Sequence, residues 1–282
     1  MKPDLCILTP DAGYYEDTSE LVAQYRALFG GRLAFRQWND AGDLSGFRLI
    51  LPLLAWGYQR DAARWYTALD EWEATAFPFA NDIATLRWNT DKDYLLDLEE
   101  RGIAIVPTVE THDLCADDLT AARARFGCDV LVVKPAISGG ADGTYRLKPA
   151  DPIPFDVLER EMLIQPMMSA IASEGEFSLF YFDGIFSHAI LKTPAAGDFR
   201  VQDQFGGRER AIEAPAPALR LAEATLTAAP ALPLYARVDM VRDDAGDFRL
   251  MELEVIEPSL FLSYAADKGA AFADAVLRAA PG

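Results

Sequence analysis

The run Val132-Val133-Lys134-Pro135-Ala136-Ile137-Ser138-Gly139-Gly140-Ala141-Asp142-Gly143-Thr144 puts a lysine at the end of an apolar stretch. Gly139, Gly140 and Gly143 follow, flanked by the hydroxyls of Ser138 and Thr144. Such a run suits a loop over phosphates, because glycines let backbone N–H groups approach oxyanions while Lys134 supplies charge. No Gly-Lys-Ser/Thr follows, so it is not a Walker loop, and it lacks the GxGxxG spacing of dinucleotide folds. An ordinary hairpin turn would use the same glycines, and the loop alone does not separate the two readings.

A second constellation joins Tyr235-Ala236-Arg237-Val238-Asp239-Met240 to Leu250-Met251-Glu252-Leu253-Glu254-Val255-Ile256-Glu257-Pro258 through the turn Asp243-Asp244-Ala245-Gly246-Asp247. Side chains at i and i+2 share one face of a strand, so Glu252 and Glu254 point together, and a hairpin brings Asp239 beside them. Carboxylates gathered in an apolar sheet repel unless a cation lies between them, and hard oxygen ligands suit magnesium or manganese. The competing reading is a sheet with one solvated face. The metal reading is favoured because Val238, Met240, Leu253 and Val255 can fill the opposite, buried face. Lys92, Lys134 and Lys192, with Arg200 close after the last, are ordinary surface residues taken singly. Lys134 and Lys192 each end an apolar strand, at a sheet rim, where together they could balance a triphosphate.

The elements that must hold these residues read as α/β. Leu5-Cys6-Ile7-Leu8 is a buried strand, Leu21 to Phe29 a helix stopped at Gly30-Gly31, Arg32 to Trp38 and Phe47 to Leu54 further strands, and Arg60 to Glu73 a helix. That order predicts a small lobe with a parallel sheet. Asn81 to Arg101 reads as a helix-rich connector. Strands are expected at Ile103 to Val106, Val130 to Lys134 and Met162 to Gln165, with a helix over Ala116 to Phe126. The last block reads as strands at Phe177 to Phe182, Ile185 to Lys192, Phe199 to Gln204, Tyr235 to Arg242 and Phe248 to Val255. Ala214 to Pro233 is helical in its middle, and an amphipathic helix spans Ala265 to Ala280. The expected division is 1–80, 81–168 and 169–282.

The 282 residues carry a net charge of -18, from 26 Lys plus Arg against 44 Asp plus Glu. That balance excludes nucleic acid and anionic membrane as partners, since both require clustered cations. Three separated cysteines, Cys6, Cys115 and Cys128, predict reduced thiols, and two histidines, His112 and His188, leave little for a His-built zinc site or a Ser/His/Asp triad. His188 reads as a packed or surface residue. With no apolar segment after Met1 and none of spanning length, a cytoplasmic protein is expected.

Taken in order, Lys92, Lys134 with Ser138 to Thr144, Leu163-Ile164-Gln165-Pro166-Met167-Met168, Glu174-Gly175-Glu176, Asp239, and Glu252-Leu253-Glu254 resemble the ATP-grasp superfamily. Within it the order is most similar to glutathione synthetase and the ribosomal protein S6 glutamate ligase. Each motif is weak alone, and their shared order is specific. The resemblance implies a Rossmann-like first lobe followed by two lobes clasping ATP. It also implies an ADP-forming ligase that joins a carboxylate to an amine through an acyl phosphate. Carried over residue by residue, it places Lys92 and Lys134 on ATP and Ser138, Gly139, Gly140, Gly143 and Thr144 over the β- and γ-phosphates. Gln165, Met167 and Met168 would lie at adenine, Glu176 at the ribose, Lys192 at the phosphates and Arg200 at the tetrahedral intermediate. Asp239, Glu252 and Glu254 would hold Mg2+ or Mn2+. Glu254 departs from the family pattern, where Asn is common, and Glu257-Pro258-Ser259 departs from its small polar residues.

The run Glu252-Leu253-Glu254-Val255-Ile256-Glu257-Pro258 also resembles the cyclising ligase of D-cycloserine biosynthesis, which closes a ring within one amino-acid derivative. The expected substrates are therefore a small-molecule carboxylate and amine, met near Tyr14, Tyr15, Trp56 and Tyr58 at the carboxyl ends of the first-lobe strands. Aromatic packing between lobes is the other account of those rings. A homo-oligomer is left open. Two alternatives remain at this level: a nucleotide-sensing module without turnover, and a phosphotransferase whose phosphorylated product is stable.

Overall fold

The computed structural model describes residues 2–14, 17–158 and 160–280. Leu5–Thr9 (β1) is buried through Leu8, as a strand covered on both faces has to be. Ser19–Phe29 (α1) turns Tyr25 and Phe29 inward and leads to Leu33–Gln37 (β2). Leu49–Leu51 (β3) is followed by Ala62–Thr75 (α2), which buries Trp65, Ala68, Leu69 and Trp72. The Asp61 carboxylate caps α2 by accepting the Arg64 N–H at 3.0 Å. The three strands pair in parallel in the order β2-β1-β3, as the strand and helix order predicts.

The connector is Ile83–Thr90 (α3) and Tyr94–Glu100 (α4), with Asp82 capping α3. Val109–Thr111 (β4), Leu131–Pro135 (β5), Tyr145–Leu147 (β6) and Met162–Pro166 (β7) form an antiparallel sheet in the order β4-β7-β5-β6, with Ala116–Phe126 (α5) between β4 and β5 in the chain. Leu119 and Ala122 of α5 pack on its Leu131, Val133 and Ile164. The third sheet follows Ala170–Ser173 (α6). Its strands are Glu176–Phe182 (β8), Ile185–Thr193 (β9), Arg208–Ile212 (β10), and, after Ala216–Ala228 (α7), Tyr235–Arg242 (β11) and Phe248–Glu254 (β12). They run antiparallel in the order β10-β9-β8-β11-β12, and Ala270–Ala279 (α8) closes the fold.

Two buried clusters sandwich the third sheet. Phe177, Leu179, Val238, Met240 and Leu253 pack with Ala218 and Ala222 of α7 and with Tyr94, Leu95 and Leu98 of α4. On the other face Phe180, Phe182 and Tyr235 meet α8 and the first-lobe residues Leu5, Ile7 and Tyr25. Alternation along the strands thus commits one face to the connector, while the other splits between first-lobe contact and polar floor.

Several elements differ from the sequence reading, β6 among them, a strand that reading does not contain. Ile103 to Val106 is buried but forms only a single bridge, Ile105 with Leu250, because Pro107 has no N–H to extend the pairing; the strand lies beyond it, at Val109–Thr111. Phe199 to Gln204 is not a strand, since the Asp198 carboxylate accepts the N–H groups of Phe199 and Arg200 and turns the backbone. Its place at the sheet edge is taken by Arg208–Ile212, whose charged sequence carries no apolar alternation and suits an exposed edge. The last helix starts at Ala270 rather than Ala265: Asp267 accepts from the N–H groups of Gly269 and Ala271, and Gly269 has φ +94°. Cys6, Cys115 and Cys128 are free thiols. Among the described residues no helix is long and apolar enough to cross a membrane.

Candidate active site

A cavity of about 450 Å³ opens where the three sheets and the connector meet. Tyr14, Trp56 and Tyr58 line it from the first lobe, Lys92 and Tyr94 from the connector, Lys134, Ser138 and Gln165 from the second sheet, and Lys192, Asp239 and Glu252 from the third. Its size is that of a site for one nucleotide with a small companion.

Strand register builds the floor. Asp239 faces Glu252 across β11 and β12, and Arg237 faces Glu254. On the other flank Asp239 faces Ser178 of β8, and Glu176 faces Lys192 of β9. The oxygens of Asp239, Glu252 and Glu254 lie within 4.8 Å of one another, and Val238, Met240, Leu253 and Val255 are buried on the far side. The sequence does not single out Arg237, although it stands two residues before Asp239 on the same face. Its guanidinium donates to both Asp239 oxygens, at 3.1 and 2.9 Å, and to Glu254. Ser178, also missed, donates to Asp239 at 2.5 Å. The i, i+2 rule that selected the acids would have selected this arginine.

These pairings set the protonation states. Burial alone would raise the Asp239 carboxyl, but Arg237 and Lys192 overcome it and hold the group below its usual range. Glu252 is likewise kept low against burial by Lys92 and Lys134. At Glu254 burial wins over Arg237, with Glu252 and Asp239 adding to it, and the carboxyl is pushed up to about 7. Glu257, beyond the end of β12, is pushed up to about 8 by burial and by Glu254.

The lysines stand among these acids. Lys92 Nζ lies 3.2 Å from Glu252 and donates at 2.5 Å to the Ser138 carbonyl, so one side chain ties the glycine loop to the floor. Lys192 Nζ is 3.0 Å from Glu176 and 3.6 Å from Asp239. Lys134 is buried, and desolvation lowers its ammonium to about 8 although Glu252 opposes the shift. In the loop above, Gly140 and Gly143 hold φ values of +60° and +68°, where a Cβ is disfavoured. Ser138, Gly139, Gly140 and Thr144 line the cavity, while Gly143 is packed against Pro135 and is not part of the wall. Gln165 and Met168 line the far end. Met167 instead packs with the Val106, Ile171 and Val201 cluster, and its N–H donates to the Val130 carbonyl.

Arg200 enters from the turn that replaces the expected strand. Asp198 grips it through Nε at 3.1 Å and Nη2 at 2.9 Å, and its guanidinium lies 3.6 Å from the Phe205 ring centroid. These two hydrogen bonds donated by Arg200 hold the Asp198 carboxyl well below the usual range. Gln204 donates to the Gly140 carbonyl at 3.2 Å, so this turn and the glycine loop face each other across the cavity mouth. Tyr14 and Trp56 stand with ring centroids 6.3 Å apart, and Trp56 Nε1 donates to the Glu257 carbonyl at 3.1 Å. Tyr58 lines the wall while stacking on Trp65; Tyr15 lies outside the described residues. His188 is not among the residues that line the cavity; it is stacked on Phe180 with Nε2 3.1 Å from the Leu260 carbonyl, and His112 pairs with Glu161 at 2.8 Å.

No family model matches the protein. It is 30% identical over 268 residues to the cycloserine biosynthesis protein DcsG of Streptomyces lavendulae, covering 85% of this chain and 86% of that one. The structure is similar to a crystal structure of D-cycloserine synthetase DcsG, with a TM-score of 0.84 and 26% identity over 98% of this chain and 100% of the other. It also superposes on a D-alanine–D-alanine ligase from Bacillus anthracis, with a TM-score of 0.73 and 21% identity over 98% and 96% of the two chains.

Proposed function

The chain belongs to the ATP-grasp ligases, the ADP-forming enzymes that couple ATP to bond formation, and from that premise we propose that it closes a ring within one small amino acid. The carboxylate of the substrate is activated as an acyl phosphate, and a nitrogen on the same molecule displaces the phosphate. The observation that carries this reading is the union, in one cavity, of three buried lysines, three converging carboxylates and an aromatic wall. A cavity of about 450 Å³ leaves little space beside a nucleotide, which favours one small substrate over two. The relative named for D-cycloserine synthesis supports a substrate of that kind. The simplest linear precursor that gives the D-cycloserine ring by C–N closure is a D-serine with an aminooxy group on its β-carbon, O-amino-D-serine.

The proposed roles follow from placement. Lys92, Lys134 and Lys192 balance phosphate charge, and the Ser138 to Thr144 loop covers it. Glu176 takes the ribose hydroxyls, and Gln165 and Met168 border the adenine. The backbone of Met167 is a weaker candidate, since its N–H already has a carbonyl partner. The oxygen set of Asp239, Glu252 and Glu254 fits a hard divalent cation, and Arg237 offsets part of its charge. When bound there, magnesium would neutralise charge on the transferring phosphoryl group. Arg200, gripped by Asp198 and packed on Phe205, would steady the oxyanion as the nitrogen attacks.

The test is to follow ADP and product by mass spectrometry with Mg·ATP and O-amino-D-serine. Equal amounts of ADP and of a ring-closed product with one water fewer than the substrate are expected. Lys134→Ala and Glu252→Ala should each lower turnover by at least about a hundredfold, the scale for losing a charge that stabilises the transition state. ADP without a new C–N bond, or a stable phosphorylated substrate, would overturn ring closure.

A further inference from the structure

The acids on the cavity floor are matched by internal cations: Glu176 with Lys192, Asp239 with Arg237, Glu252 with Lys92 and Glu254 with Arg237. Glu257 breaks this pattern. It lines the same cavity, yet among the described residues no lysine, arginine or histidine nitrogen lies within 4 Å of its carboxylate. Asp203 and Glu209, the other acids of the wall without such a cation, are a hydrogen-bonded pair with Tyr264 at the solvent-facing side.

The backbone under Glu257 is fixed. The Ile256 carbonyl accepts the Tyr235 hydroxyl at 2.9 Å, and the Glu257 carbonyl accepts Trp56 Nε1 at 3.1 Å. Ile256 and Leu260 are buried on either side, in the first-lobe clusters. The side chain lines the same cavity as the rings of Tyr14, Trp56 and Tyr58. An acid held without a cation in a cavity with aromatic rings, its carboxyl raised to about 8 by burial, gives up its proton on meeting a cationic ligand group, which then gains a charge-assisted hydrogen bond and contact with ring faces.

We propose that Glu257 binds the substrate's α-ammonium, with the Tyr14 and Trp56 rings flanking it, and so selects amino acids whose α-nitrogen is unblocked. This assignment rests on the ring-closing reading above and extends it. The nitrogen that Glu257 holds is the one that does not react. An ammonium bound to a carboxylate keeps its proton and has no lone pair to attack with, whereas an aminooxy nitrogen is a weak base, neutral near pH 7, and is not drawn to the acid. Glu257 therefore separates the spectator nitrogen from the nucleophile by charge.

Binding tests this apart from turnover. O-amino-D-serine and its Nα-acetyl derivative are titrated into the full-length protein with magnesium and a non-hydrolysable ATP analogue. The free amine should bind roughly tenfold to a hundredfold tighter, the range for one charge-assisted hydrogen bond. In Glu257→Gln and Glu257→Ala that ratio should fall below about threefold, with affinity for the ATP analogue unchanged as the check on folding. Equal binding of the two compounds by the unsubstituted protein, binding of neither, or a preserved ratio in both variants would overturn the assignment. Ammonium-dependent binding without a cyclic product would leave Glu257 assigned and sink only the ring-closing reading.

Discussion

At the scale of single residues, charge balance decides what the site can do. Lys134 is desolvated, so its ammonium loses its proton at about 8 rather than near 10.5. In the ligand-free protein it is charged below that pH and neutral above it. If it meets phosphate, the proton must return on binding, and affinity for the ATP analogue should fall by up to about tenfold per unit above pH 8, approaching one proton per nucleotide. Titration calorimetry at pH 7, 8 and 9 in buffers of different ionisation heat reads both quantities, and a flat profile would remove Lys134 from the phosphate. Arg237 makes a second prediction. Removing it leaves Glu254 without its cation and Asp239 with Lys192 alone, 3.6 Å away, so Arg237→Ala should lower stability by about 3 kcal/mol. Adding Glu254→Gln should recover part of the loss, because the acid that lost its only cation and crowds Asp239 is gone; additive losses in denaturant melts would contradict the coupling. The sequence makes the acids legible because carboxylates at i and i+2 in an apolar strand are anomalous. It leaves Arg237 unremarked, since a lone arginine on a strand has an ordinary surface reading.

At the scale of elements, the connector is stitched to the third sheet by side chains where a further strand would use backbone. Asn89 donates to the Leu253 carbonyl at 2.8 Å and accepts the Val255 N–H at 3.1 Å, and the Tyr94 hydroxyl accepts the Leu253 N–H at 2.9 Å. Asn81 does the same near the start of β11, donating to the Tyr235 and Val255 carbonyls and accepting the Leu234 N–H. Because β12 carries Glu252 and Glu254, these buried amides hold the floor of the cavity in register. Asn89→Leu keeps much of the volume but strands a buried carbonyl and a buried N–H, each worth roughly 1–3 kcal/mol. It should cost about 2–4 kcal/mol in urea melts and weaken magnesium-dependent nucleotide binding; loss of neither would show that the stitching is decorative. No periodicity announces such a residue. Apolar alternation finds β8, β9, β11 and β12, because one face of each is committed to the core shared with the connector. It fails for β10, a polar edge, and misreads Phe199 to Gln204, whose alternating pattern belongs to a turn governed by Asp198.

At the scale of the whole molecule, a protein of net charge -18 concentrates its buried cations in one place, the junction of three sheets. The lysines come from different segments: Lys92 from the connector, Lys134 from the second sheet and Lys192 from the third, each beside acids of the third sheet or the glycine loop. If a nucleotide in this cavity touches all three, as proposed, its binding free energy should stabilise the sheets together rather than one alone. With a non-hydrolysable ATP analogue at a hundred times its Kd and saturating magnesium, the gain is about 2.7 kcal/mol. For a cooperative unit of 282 residues that corresponds to a rise in Tm of about 5 °C. Magnesium alone should add little, because Lys92 and Arg237 already offset Glu252, Asp239 and Glu254. The two together should therefore exceed the sum of their separate shifts, and Glu252→Gln should abolish that excess while the protein stays folded. A single shifted transition is expected; a melt that splits, with one part insensitive to ligand, would mean that a sheet does not share the nucleotide.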